Sequence, residues 1–161
     1  MTHEQEISQL KEGELAPEFY FTDKNGKNSN LNKLRGKKVV VYFYPKDFTP
    51  GCTTEASEFT KDYKKFQTEG IEVVGISPDT HTSHQKFREK MRIPYPLVSD
   101  IDNVVAKKYG VYGLKKFMGK EYMGVNRSTF VLDENGRILK IYSKVKPGSH
   151  SAEILGYFIG S

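Results

Sequence analysis

The run Lys38-Val39-Val40-Val41-Tyr42-Phe43-Tyr44 constrains the fold more than any other stretch of the chain. After Lys38 it is entirely β-branched or aromatic, so neither side of the extended segment is left for water. A strand of that kind belongs inside a sheet that is covered on both faces. The segments that follow can supply the covering layers. Ala56, Phe59, Tyr63 and Phe66 fall on one face of an α-helix, with Gly70 as its stop. Ile71–Ser77 reads as a second buried strand, Thr82–Met91 as a helix ended by Pro94, and Tyr95–Ser99 as a third strand. Asn103–Tyr109 reads as a short helix closed by Gly110.

Two Asn-Gly pairs mark hairpin turns. Lys24-Asn25-Gly26-Lys27 lies between Glu18–Asp23 and Asn28–Asn32, and Glu134-Asn135-Gly136-Arg137 lies between Ser128–Asp133 and Ile138–Lys144. Leu31–Gly36 reads as one helical turn, Ser151–Ile159 as a closing helix, and the glycine-punctuated Val111–Val125 as irregular. Strands alternating with helices imply a layered α/β domain with a mainly parallel sheet. The terminal hairpin would add antiparallel strands at one side, giving a mixed central sheet flanked by helices. That order matches a thioredoxin-like fold with an N-terminal β-hairpin extension, in a single domain spanning residues 1–161.

Composition narrows the function. Hydrophobic residues make up 37% and charged residues 28% of the chain, a soluble globular balance rather than a disordered one. No apolar run approaches the roughly 20 residues of a membrane span. Met1–Glu18 is polar and lacks the apolar core of a signal peptide, so a cytoplasmic location is expected. The formal charge of +5 comes from lysines interleaved with Asp and Glu, which reads as a solvated surface rather than a nucleic-acid site. His81 and His84 are spaced to share a helix face, yet no cysteine or tight carboxylate cluster joins them in sequence. They read as two solvent-facing histidines near a helix start; His3 and His150 carry no signal. No metal and no cofactor is expected.

The chain has one cysteine, Cys52, which excludes an intrachain disulfide framework and fits a reducing compartment. It sits in Pro45-Lys46-Asp47-Phe48-Thr49-Pro50-Gly51-Cys52, between the buried strand and the helix. Pro50-Gly51 turns the chain so that Cys52 enters the first helical turn. There the helix dipole favours a thiolate, the nucleophilic form of a thiol. Thr49 brings a hydroxyl that can donate and accept, and Pro45 a rigid apolar wall. Arg127, just before Ser128–Leu132, is the candidate cation, provided that strand lies beside Lys38–Tyr44 and brings the two strand ends together. A lone buried cysteine is more often an inert hydrophobe. The conjunction on one loop, at the end of a strand where α/β folds bind ligands, favours chemistry.

Pro-x-x-x-Thr-x-x-Cys, here Pro45, Thr49 and Cys52, resembles the active-site signature of the peroxiredoxins. Gly51-Cys52-Thr53-Thr54-Glu55-Ala56 resembles their Q-type branch, the bacterioferritin comigratory proteins. Tyr122–Phe130 resembles the stretch that carries the active-site arginine of that family, here Arg127. The resemblance runs from about Gly13 to the closing helix. It implies a thiol peroxidase that reduces hydrogen peroxide and organic hydroperoxides through a sulfenic acid on Cys52. Thr49 and Arg127 would hold the peroxide oxygens, Pro45 would shield the sulfur, and Glu55 would orient the arginine or the loop, although a plain first-turn carboxylate accounts for Glu55 equally well. The implied partners are the hydroperoxide and a thioredoxin-, glutaredoxin- or glutathione-type reductant, with the protein a monomer or weak homodimer. The chain departs from the pattern at Ser57, where many Q-type members carry a resolving cysteine. Ser57 belongs either to a one-cysteine member or to a Cys→Ser replacement that traps one redox state.

Two other readings remain. A thioredoxin-fold redox sensor or binding module would use Phe117, Met118, Tyr122 and Met123 as a contact patch, and Cys52 would oxidise once. Those residues could equally pack onto the domain. A cysteine hydrolase ranks third, because no histidine stands in a convincing base position.

Overall fold

The computed structural model describes residues 10–23 and 25–159. The expectations placed on Lys24, on His3 and on the first nine residues therefore lie outside the described residues. A short N-terminal hairpin pairs β1 (Tyr20–Thr22) with β2 (Asn28–Asn30). The chain then runs through a 3-10 turn into β3 (Lys38–Phe43), α1 (Pro50–Thr68), β4 (Ile71–Ser77), α2 (His81–Met91) and β5 (Leu97–Ser99). After α3 (Val104–Lys108) come β6 (Tyr112–Phe117), β7 (Lys120–Val125), β8 (Ser128–Leu132), β9 (Ile138–Ser143) and α4 (His150–Ile159).

Five strands form one sheet in the order β5-β4-β3-β8-β9. The β3–β4 and β4–β5 pairs are parallel, and the β3–β8 and β8–β9 pairs antiparallel. The sheet is thus evenly mixed rather than mainly parallel, and the second hairpin adds antiparallel strands at one side, as expected, with β8 directly against β3 and β9 at the edge.

β3 is buried on both sides, as its composition demands. Val39, Val41 and Phe43 pack with Phe19, Phe21, Tyr109 and Phe130 on one face. Val40, Tyr42 and Tyr44 pack with Cys52, Phe59, Phe66, Phe87 and Ile154 on the other, beneath α1, α2 and α4. In both Asn-Gly turns the glycine takes the left-handed conformation, at φ +79 for Gly26 and +80 for Gly136. Asp23 and Asp133 each accept two backbone N–H groups across their turns, the self-bonding that suits aspartate to turns.

Val111–Val125 is not irregular. It forms the β6–β7 ribbon, closed by Met118 at φ +51 and Gly119 at φ +80. Two positive φ values in a two-residue loop make a type I′ turn, which Asn-Gly usually signals and Met-Gly does not. Leu114, Phe117, Met118, Tyr122 and Met123 are exposed on this ribbon, so no burial pattern shows in the sequence.

Gly75 on β4 lies opposite Tyr42. A β-carbon there would sit 2.9 Å from the Tyr42 ring and 3.0 Å from Leu97. The missing side chain makes room for Tyr42, whose hydroxyl bonds that of Tyr95 at 2.6 Å inside the core. Gly75→Ala should cost about 1–3 kcal/mol by overpacking, read as a lower urea midpoint at unchanged slope. An unchanged midpoint would mean that the tyrosine moves aside freely.

Candidate active site

The site forms where the C-terminal end of β3 meets the N-terminus of α1. Pro50 occupies the first turn of the helix, where its lack of an N–H costs nothing. Thr49 is the N-cap residue by backbone, yet its side chain makes no cap hydrogen bond; its hydroxyl donates to the Lys46 carbonyl at 2.8 Å. The positive end of a 19-residue helix is therefore left to Cys52, which is 1% exposed.

The pairing of Phe43 with Ser128 brings Arg127 to the same end of the sheet. Its Nη2 lies 3.3 Å from Cys52 Sγ and its Nη1 donates to Glu55 Oε1 at 2.6 Å. One guanidinium thus spans the thiol and a carboxylate one helical turn further on. Gly51 permits this approach, since a β-carbon there would stand 3.1 Å from Nη2. Burial works against the Arg127 charge, but Glu55 and Cys52 outweigh it and hold the guanidinium above its ordinary range. Glu55 is 1% exposed and its Oε2 has no partner among the described residues. Burial outweighs the arginine there and pushes its carboxyl up from 4.5 to about 7.

Beside the sulfur opens a cleft of about 660 Å³ lined by Pro45, Thr49, Gly51, Arg127 and the ribbon residues Lys115 and Tyr122 among others. Of the residues expected to form the site, Pro45, Thr49 and Arg127 line this cleft, and Cys52 and Glu55 lie buried behind it in contact with Arg127. Ser57 does neither: it is exposed on α1, which runs unbroken through it.

A model of the AhpC/TSA family matches residues 13–141. The chain belongs to that family. It is 43% identical to peroxiredoxin Bcp of Bacillus subtilis over 89% of its own length and 91% of the relative's. Identity to peroxiredoxin Bcp of Escherichia coli is 37%, over 94% and 97% of the two chains. A mutant of Xylella fastidiosa PrxQ superposes with a TM-score of 0.88 at 30% identity, covering 95% and 98%. A Xanthomonas campestris bacterioferritin comigratory protein, described for its alkyl peroxide reduction, superposes with a TM-score of 0.81 at 34% identity, covering 88% and 90%. The chain is a thiol peroxidase of the Bcp type, on the thioredoxin-like architecture of these peroxiredoxins. Among the described residues, no helix is long and apolar enough to cross a membrane.

This peroxiredoxin also holds site residues that sequence reasoning missed. Lys115 donates to the Val125 carbonyl at 2.9 Å and lines the cleft. Burial and Arg127 lower its pKa, against an opposing pull from Cys52. Its lysine-rich surroundings, Lys115-Lys116 and Lys120, gave no reason to single it out. His84 corrects an expectation: His81 is exposed, but His84 is 3% exposed. It faces Asp47 at 2.7 Å, a carboxylate 37 residues away in sequence.

Glu55 gives a test by pH. Its folded-state pKa of about 7 lies above the ordinary 4.5, so the folded protein binds the extra proton. Stability should be greatest below 4.5 on this account and fall as pH rises through about 7. Glu55→Gln cannot ionise, so its urea midpoint should fall less steeply across that window. Parallel profiles for the two proteins would contradict the buried-acid assignment.

Proposed function

We propose that the protein reduces hydrogen peroxide and organic hydroperoxides at Cys52, and that an external thiol of the thioredoxin, glutaredoxin or glutathione class restores it. The observation that carries this reading is the Arg127 guanidinium 3.3 Å from a sulfur at a helix N-terminus. Cys52 attacks the distal oxygen of the hydroperoxide as a thiolate. The O–O bond breaks, the sulfur becomes a sulfenic acid, and the leaving oxygen takes a proton to depart as water or an alcohol.

Thr49 acts as an acceptor in this step. Its proton is committed to the Lys46 carbonyl, so its lone pairs receive the hydroperoxide O–H and hold the distal oxygen toward the sulfur. Arg127 stabilises the charge that develops on the leaving oxygen. Glu55 fixes the guanidinium through the 2.6 Å bond, and Pro45 walls the cleft. Phe117, Tyr122 and Met123, which also line it, suit an alkyl substituent. The reduction of alkyl peroxides ascribed to the Xanthomonas relative supports that breadth of substrate.

The rest of the cycle follows from the single thiol. With one cysteine in the chain, no in-chain disulfide forms. An external thiol condenses with the sulfenic acid, releasing water, and a second thiol reduces the mixed disulfide. Until then, over-oxidation to sulfinic acid competes. We place this activity in cytoplasmic redox homeostasis, carried by one domain acting as a monomer or weak homodimer.

Peroxide consumption with thioredoxin, glutaredoxin and glutathione supplied separately tests the proposal. Many turnovers per Cys52 are expected with at least one of them. One equivalent consumed and no more, with all three, would leave a sensor that oxidises once.

A further inference from the structure

A ring of buried polar groups lies behind the loop that carries Thr49. Asp47, in that loop, is 3% exposed. Its Oδ1 accepts the Tyr44 hydroxyl at 2.7 Å, and its Oδ2 accepts the Ser83 hydroxyl at 2.8 Å and faces His84 Nδ1 at 2.7 Å. The other His84 nitrogen, Nε2, faces the Val98 carbonyl at 3.0 Å. Asp79 closes the ring: its Oδ2 accepts the Ser77 hydroxyl at 2.6 Å and the Asp47 backbone N–H at 2.8 Å. Asp47, Asp79 and His84 cluster closely enough to hold a cation. The hydrogen bonds among these groups and their neighbours account for the clustering without one.

One bond in this ring reaches the active site. The Asp47 N–H and the Lys46 carbonyl belong to the same peptide unit and point in opposite directions. Asp79 holds the N–H end at 2.8 Å, and the carbonyl end accepts the Thr49 hydroxyl at 2.8 Å. The orientation of that one peptide plane decides where the Thr49 proton points, and hence where its lone pairs point. A carboxylate on the N–H also polarises the carbonyl, which strengthens the hydrogen bond at the far end. The same loop contains Phe48 at φ +66, a left-handed conformation that a bulky residue adopts only when its surroundings impose it. The Phe48 ring packs edge-on against Phe87 of α2 at 5.1 Å.

We propose that Asp79 is a positioning residue for peroxide reduction, acting through the Lys46–Asp47 peptide on the Thr49 hydroxyl, with the Asp47–His84 pair fastening the loop. Asp79 touches neither substrate nor sulfur. Its charge orders and polarises the chain Asp79–peptide–Thr49, and so turns the hydroxyl into an acceptor aimed at the hydroperoxide. This rests on the reading of Thr49 as the group that accepts a hydrogen bond from the hydroperoxide O–H.

A double-mutant cycle tests it. Second-order rates of Cys52 with hydrogen peroxide and with iodoacetamide are measured for the native protein, Asp79→Asn, Thr49→Val and the double variant, with thermal midpoints alongside. Asn keeps the shape and an acceptor oxygen but removes the charge. Asp79→Asn should slow the peroxide reaction about five- to tenfold, as expected for loss of charge assistance in one hydrogen bond. It should leave alkylation within about twofold, since iodoacetamide makes no use of an acceptor at Thr49. In the Thr49→Val background it should cause no further slowing. Asp79→Ala, which removes the acceptor outright, should lose more than Asp79→Asn in the presence of Thr49 and nothing in its absence. Equal slowing in both backgrounds, or no slowing in either, would overturn the proposal. If native Cys52 reacted with peroxide no faster than a free thiol, the peroxidase reading itself would fail, a result distinct from either.

Discussion

The site depends on one guanidinium held between two groups of opposite fate. Arg127 donates to Glu55 and to Cys52 at once. Glu55 is the fixed partner, buried on a rigid helix. In the proposed reaction Cys52 is the reacting one, whose charge leaves the sulfur as the O–O bond breaks. A guanidinium suits this task because its planar fork serves two partners without reorganising. Burial makes each of these interactions stronger than it would be in water and makes an unpaired one costly. The Glu55 carboxyl, raised to about 7, carries part of that cost.

The sheet exists in the form that delivers this contact. Arg127 reaches the thiol only because β8 runs antiparallel beside β3, so that a residue just before one strand meets a loop just after the other. The approach also needs Gly51, where a side chain would crowd the guanidinium. Two-faced burial of β3, absence of a side chain at position 51 and the antiparallel insertion of β8 are separate features of the chain. They serve the same 3.3 Å contact.

Much of this was legible before any coordinates. The β3 run, the α1 periodicity and both Asn-Gly turns carry strong local signals, and the structure has each of them. Cys52, Thr49 and Pro45 share a loop, so their proximity follows from sequence; Arg127 needed the assumption that its strand lies beside β3, which holds. What escaped has a common cause. The β6–β7 ribbon is exposed along most of its length, so burial leaves no alternation to read, and Met118 hides its turn. Lys115 is one lysine among many until the ribbon folds over the cleft. His84 looked like a surface histidine because its partners, Asp47 and the Val98 carbonyl, come from distant segments. Asp79 meets the loop through a backbone N–H, a contact that leaves no side-chain pattern at all. Long-range polar contacts are set by topology, and topology is what a single sequence encodes least directly.

The contribution of Arg127 to bond breaking, beyond favouring the thiolate, can be measured directly. Rate constants of Cys52 with hydrogen peroxide and with iodoacetamide are compared in the native protein and in Arg127→Ala, each at a pH where the alkylation rate has reached its plateau. At the plateau the thiolate fraction no longer differs, so any remaining difference lies in the transition state. The geometry predicts that the peroxide rate falls about 10²- to 10³-fold more than the alkylation rate, the range for losing one preorganised donor to developing charge. Equal losses against the two reagents would show that Arg127 only favours the thiolate, and would contradict the role assigned to it here.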